Sequence, residues 1–68
     1  PVILELKIAD KYKELDTNCD KALKQIEEKD YAREWAEDGY TEVICYGVAF
    51  FRKRVRIKVI RMQIEDVE

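Results

Sequence analysis

The sequence predicts an α/β unit of order β-α-β-β, a mixed three-stranded sheet with a helix on one face. Three patterns carry that prediction. Apolar residues alternate over Val2 to Ile8, they recur every three or four residues from Tyr12 to Ala36, and they run almost unbroken from Val43 to Phe51 before alternating with basic residues. A strand–helix–strand crossover of this length places the first two strands parallel, and a tight turn then brings the third back antiparallel. The chain has 68 residues, 47% hydrophobic and 41% charged, which suits one small domain of limited core.

The first strand places Val2, Leu4, Leu6 and Ile8 on one face and Ile3, Glu5 and Lys7 on the other. The wholly aliphatic face is expected to meet a packing layer, leaving Glu5 and Lys7 toward open space. Asp10 is the expected helix N-cap. Tyr12, Leu15, Cys19, Ala22, Leu23 and Ile26 form the apolar stripe of the helix, with Lys13, Glu14, Asp20, Lys21, Lys24, Glu27 and Glu28 on its wet side. The stripe loses phase near Asp30 and resumes at Tyr31, Ala32, Trp35 and Ala36, which predicts a kink or a second short helix capped by Asp30. Gly39 is the expected stop.

Val43 to Phe51 reads as a central strand buried on both faces, with Tyr46 and Phe50 as packing residues. Its alternate positions Cys45, Gly47 and Ala49 are small enough for a helix to approach closely. Arg52-Lys53 makes the turn, without the glycine or asparagine that two-residue hairpins favour. Arg54, Arg56 and Lys58 alternate with Val55, Ile57 and Val59 in a half-exposed strand, and the acidic end is expected to fray from Gln63.

Charge is unevenly distributed. Residues 1–51 hold seven basic and twelve acidic side chains, whereas 52–61 hold six basic and no acidic ones. Such a stripe attracts phosphate, and Arg54, Arg56 and Lys58 are the candidate nucleic-acid contacts. Basic residues that guard a sheet edge explain the same letters. No apolar run approaches the roughly 20 residues of a membrane span. Without histidine, neither a Cys–His nucleophile pair nor a Cys/His zinc site assembles within the chain. Cys19 and Cys45, isolated in apolar patterns, read as buried thiols of a reducing compartment, hence a cytoplasmic location.

The tripeptide Glu5-Leu6-Lys7 carries the chemistry. Two residues apart on a strand, a carboxylate and an ammonium leave the same face. A carboxylate oxygen suits a hard cation such as magnesium, and a lysine beside it steadies developing negative charge or orients a water. A solvated ion pair on a strand face accounts for the same residues equally well.

Ile3-Leu4-Glu5-Leu6-Lys7, then Ala22-Leu23-Lys24-Gln25-Ile26 and Tyr31, then Tyr46-Gly47-Val48-Ala49-Phe50 closely resemble the carboxy-terminal PD-(D/E)XK nuclease domain of a bacterial family that carries it behind an AAA-type ATPase domain. The resemblance covers residues 1–60. It implies an α-β-β-β-α-β restriction-endonuclease-like core of which this chain is the second half, acting on nucleic acid with magnesium or manganese. It further implies that Glu5 is the acidic metal ligand, that the Leu6 carbonyl completes coordination, that Lys7 is the catalytic lysine, and that Gln25 and Tyr31 are accessory active-site residues. The family's upstream aspartate has no counterpart: Asp10 follows the motif, and Asp16 and Asp20 belong to the helix. The chain also starts on Pro1 without an initiator methionine, so it is expected to be processed, trimmed or cut from something longer, a single truncated domain over 1–68 with weak or no activity alone. The competing expectation is a non-catalytic dimerisation module. Helical cover on one face leaves the other open, with Ile3 and one row of the central strand on it, and a homodimer would close it.

Overall fold

The computed structural model describes residues 1–29 and 32–64. Strand β1 (Val2–Ile8) leads through a 3-10 turn (Tyr12–Glu14) into helix α1 (Leu15–Glu28). A short α2 (Ala32–Glu37) and the hairpin of β2 (Glu42–Phe51) and β3 (Arg54–Gln63) follow. The sheet order is β1-β2-β3, with β1 parallel and β3 antiparallel to the central β2. The predicted three-stranded mixed sheet with helical cover on one face is therefore observed, and it agrees with part of a restriction-endonuclease-like core.

Helix α1 buries Leu15, Cys19, Ala22, Leu23 and Ile26 of the predicted stripe against the sheet, whereas Tyr12, expected to open that stripe, lies in the 3-10 turn and is exposed. Its start differs from expectation. The chain arrives extended at Lys11, and a tight 3-10 bond from the Glu14 N–H to the Lys11 carbonyl (3.0 Å) makes the first turn. Asp10 is thus too far upstream to cap α1, whose N-cap position is Glu14, without a side-chain cap bond. The second helix is present, although Asp30, its expected cap, lies outside the described residues. It ends in a Schellman pattern. The Gly39 N–H donates to the Ala36 carbonyl and the Tyr40 N–H to that of Trp35, with Gly39 at φ 90°.

The small row of β2 decides where the helix goes. A Cβ built on Gly47 would lie 2.5 Å from the Cys19 carbonyl oxygen and 2.8 Å from Leu23 Cγ, so helix and strand backbones meet there. This contact separates two parts of the core. On one side Leu23, Ile26, Val43, Cys45 and Ile64 gather, with Trp35 and Ala36 packed on them; on the other are Ala9, Leu15, Cys19 and Ala49.

Register then corrects three expectations. Ile3, Glu5 and Lys7 pair with Cys45, Gly47 and Ala49, so this row of β1 shares the helix-bearing side. Val2, Leu4, Leu6 and Ile8 lie on the uncovered side and are exposed, although an aliphatic row read on one strand alone belongs inward. Strand β2 is covered on one face rather than two: Tyr46 is half-buried and Phe50 exposed on the uncovered side. In β3 likewise, Val55, Ile57 and Val59 face outward while Arg56 and Lys58 lie on the helix side. Finally, the acidic end at 65–68 lies outside the described residues, but the chain does not fray at Gln63. That residue ends β3, and the buried Ile64 donates its N–H to the Thr41 carbonyl at 2.8 Å.

Candidate active site

Strand β1 is a sheet edge, and its alternation sorts the groups of Glu5-Leu6-Lys7. The Pro1 carbonyl accepts from the Ile44 N–H and the Ala9 N–H donates to the Phe50 carbonyl, so odd-numbered residues of β1 spend their backbone groups on β2. By the alternation of a strand, the backbone groups of Leu6 turn to the outer edge. The Leu6 carbonyl thus lies on the free side of the sheet, in the strand segment between the two charged side chains.

Glu5 and Lys7 leave the same face, about 6.6 Å apart along the strand. Both are half-buried on the helix side rather than in open space. The Glu5 side chain is 24% exposed, and its ion partner is Lys29, not Lys7: Lys29 Nζ stands 3.8 Å from Glu5 Oε2. Lys29 follows the last residue of α1. An ammonium there is favoured by the negative end of the helix dipole and offsets the cost of partly burying the carboxylate. The sequence reading missed Lys29; its signal was a cation just past the predicted helix, whose crossover returns the chain toward β1. Gln25 lies one turn before Lys29, on the same helix face and half-buried. Tyr31 lies outside the described residues.

The basic stripe is engaged by the helix. Arg56 Nη1 donates to Asp16 Oδ1 at 2.9 Å, and Lys58 Nζ donates to Asp20 Oδ1 at 2.9 Å and stands 3.4 Å from Asp16 Oδ2. Hydrogen bonds from Arg56 and then Lys58 hold the Asp16 carboxyl below its usual range, and the Asp20 and Asp16 carboxylates raise the Lys58 ammonium. The match is geometric: four residues of helix rise about 6 Å and two of strand about 6.6 Å, so acids at i, i+4 meet bases at i, i+2. That spacing was the overlooked signal. Arg54 instead stacks over Tyr12, 5.0 Å from the ring centroid.

Glu5 and the Leu6 carbonyl are hard oxygen donors and fit magnesium or manganese in kind. Among the described residues no group of three or more His, Cys, Asp or Glu is placed to hold a metal, so these two donors would supply only part of a coordination sphere. The acid-x-lysine edge strand, the crossover helix and the parallel central strand form an α/β arrangement consistent with part of a restriction-endonuclease-like core. The model of the PD-(D/E)XK nuclease superfamily matches residues 1–60, and the chain belongs to that superfamily. No curated protein and no solved structure matches it.

Proposed function

We propose that this chain is part of a nuclease domain that hydrolyses phosphodiester bonds of nucleic acid with magnesium or manganese. The observation that carries the reading is the grouping of Glu5, the Leu6 carbonyl and Lys7 on the outer strand of the superfamily-matched segment. Glu5 and the Leu6 carbonyl would hold the cation, which supplies polarisation of a phosphoryl oxygen and a more acidic water. Lys7 would then steady charge on the scissile phosphate, Gln25 and Tyr31 would orient water or substrate, and Arg54, Arg56 and Lys58 would meet backbone phosphates. Because these donors would fill only part of a sphere and the family's upstream aspartate has no counterpart, residues 1–68 alone act as a truncated domain with weak or no activity. The parent carries them as a carboxy-terminal domain behind an AAA-type ATPase and works in the cytoplasm. No helix among the described residues is long and apolar enough to cross a membrane.

Cleavage of plasmid and single-stranded DNA with magnesium or manganese tests this. The chain, a longer version, Glu5→Ala and Lys7→Ala are compared, with manganese titration calorimetry alongside. The expected result is weak or no cleavage by the chain, stronger cleavage by the longer version, and loss of that cleavage with either substitution. Equal cleavage by every variant, and manganese binding indifferent to Glu5, would remove these residues from the mechanism. A second reading, a homodimeric interaction module, is favoured by the uncovered apolar side of the sheet.

A further inference from the structure

The tip of the β2–β3 hairpin gathers bases that the helix acids leave unanswered. Arg52, Lys53 and Arg54 sit there. Tyr12 brings the turn before α1 across to Arg54, with the exposed Lys11 and Lys13 on either side of it in sequence. Among the described residues no carboxylate pairs with any of these cations, whereas Arg56, Lys58 and Arg61 are all paired. Asp10 and Glu14 are the acids of the same turn, so the balance at this end of the sheet is positive.

Both guanidiniums are held in place. Arg52 lies 5.2 Å from the ring centroid of Phe51, and Arg54 lies 5.0 Å from that of Tyr12. A stacked guanidinium keeps the N–H groups in its plane free, and its fork is fixed before a ligand arrives. Phe51, Arg52, Lys53 and Arg54 line an open cleft of about 340 Å³. The backbone adds an independent sign. Arg52 holds a left-handed position, φ 54°, that glycine or asparagine would fill at less cost. Strain of that kind collects at ligand-binding sites.

We propose that the hairpin tip binds a nucleic-acid phosphate backbone through Arg52, Lys53 and Arg54, with Lys11 and Lys13 beside them. The proposal rests on the nuclease reading for its choice of ligand and adds a docking surface to it. Placement supports it. Gly47 lies under α1 and pairs with Glu5 on one side and Lys58 on the other, so Arg56 and Lys58 stand across the helix from Glu5 and Lys7. The tip stands clear of that division, because α1 begins level with Arg56, the partner of Asp16, and the hairpin turn lies beyond it. Lys7 is level with Ala49, and Arg52 follows three residues on, about 10 Å along the strand. Phosphates of one duplex strand succeed each other about every 3.4 Å of axis, so a strand with its scissile phosphate at Lys7 reaches the tip about three nucleotides away.

Fluorescence anisotropy at stepped salt, without divalent cations, tests this with one single-stranded and one duplex DNA probe. The tighter-bound probe identifies the form the tip holds. Arg52→Gly with Lys53→Gln is expected to lower the slope of log affinity against log salt by two phosphate contacts, about 1.4 for a single strand or 1.8 for a duplex. Lys21→Gln with Lys24→Gln on the exposed face of α1 makes the same charge change and is expected to leave the slope as it is. Arg52→Gly alone is expected to raise the melting temperature while lowering the slope by about one contact, so weaker binding cannot be loss of fold. A wild-type chain that binds neither probe, or equal slopes for the two double variants, would overturn the docking surface. Cleavage by the longer version is followed in parallel. Tip-dependent binding beside cleavage indifferent to Glu5 and Lys7 would overturn the nuclease mechanism alone, and the converse result would overturn the tip alone.

Discussion

A methyl group added at Gly47 would meet the Cys19 carbonyl oxygen at 2.5 Å, and backbone cannot move aside as a flexible side chain can. Gly47→Ala is expected to destabilise the fold by about 1–3 kcal/mol through overpacking, read as a lower urea midpoint. Titration acts at the same scale. The folded Asp16 carboxyl lies below its usual 3.8, so its stabilising pairing is complete above that value and is lost as pH falls through the lower folded value. Asp16→Asn is accordingly expected to flatten the decline of stability below about pH 4, measured by urea unfolding at stepped pH. Exposure and salt keep the effect small.

Among the elements, the β2–β3 hairpin holds the least comfortable backbone. Its two-residue loop Arg52-Lys53 places Arg52 at φ 54°, a region costly for any residue with a Cβ. Arg52 stays in contact by stacking over Phe51 at 5.2 Å. Arg52→Gly exchanges that stacking for a relaxed turn and is expected to stabilise by about 1 kcal/mol, with a higher melting temperature. The pairing of Asp16 and Asp20 with Arg56 and Lys58 likewise joins two elements, tying the start of α1 to β3.

Over the whole molecule, that pairing moderates the field of the basic strand. Arg56 and Lys58 are answered by helix acids and Arg61 by Glu42, which leaves less free charge than the linear sequence suggests. Replacing both Asp16 and Asp20 by Asn should tighten non-specific DNA binding and steepen its salt dependence by about one to two phosphate contacts, measured by fluorescence anisotropy. An unchanged slope would mean that Arg56 and Lys58 do not reach DNA.

Element order, strand pairing, the two helices and the Gly39 stop were legible in the sequence, because periodicity and glycine act locally. The acid-x-lysine placement on one strand face was legible for the same reason, since a strand's alternation needs no partner. Which face that was could not be read from β1 alone. Its aliphatic row looks like a core row, yet the small row of β2 admits the helix and register with β2 forces Glu5 and Lys7 to the same side. Lys29 and the Asp16–Asp20 pairing escaped notice because each joins residues far apart in sequence. Side-chain patterns set what each segment can bury, whereas the close approach at Gly47 decided which side was covered and which remained open.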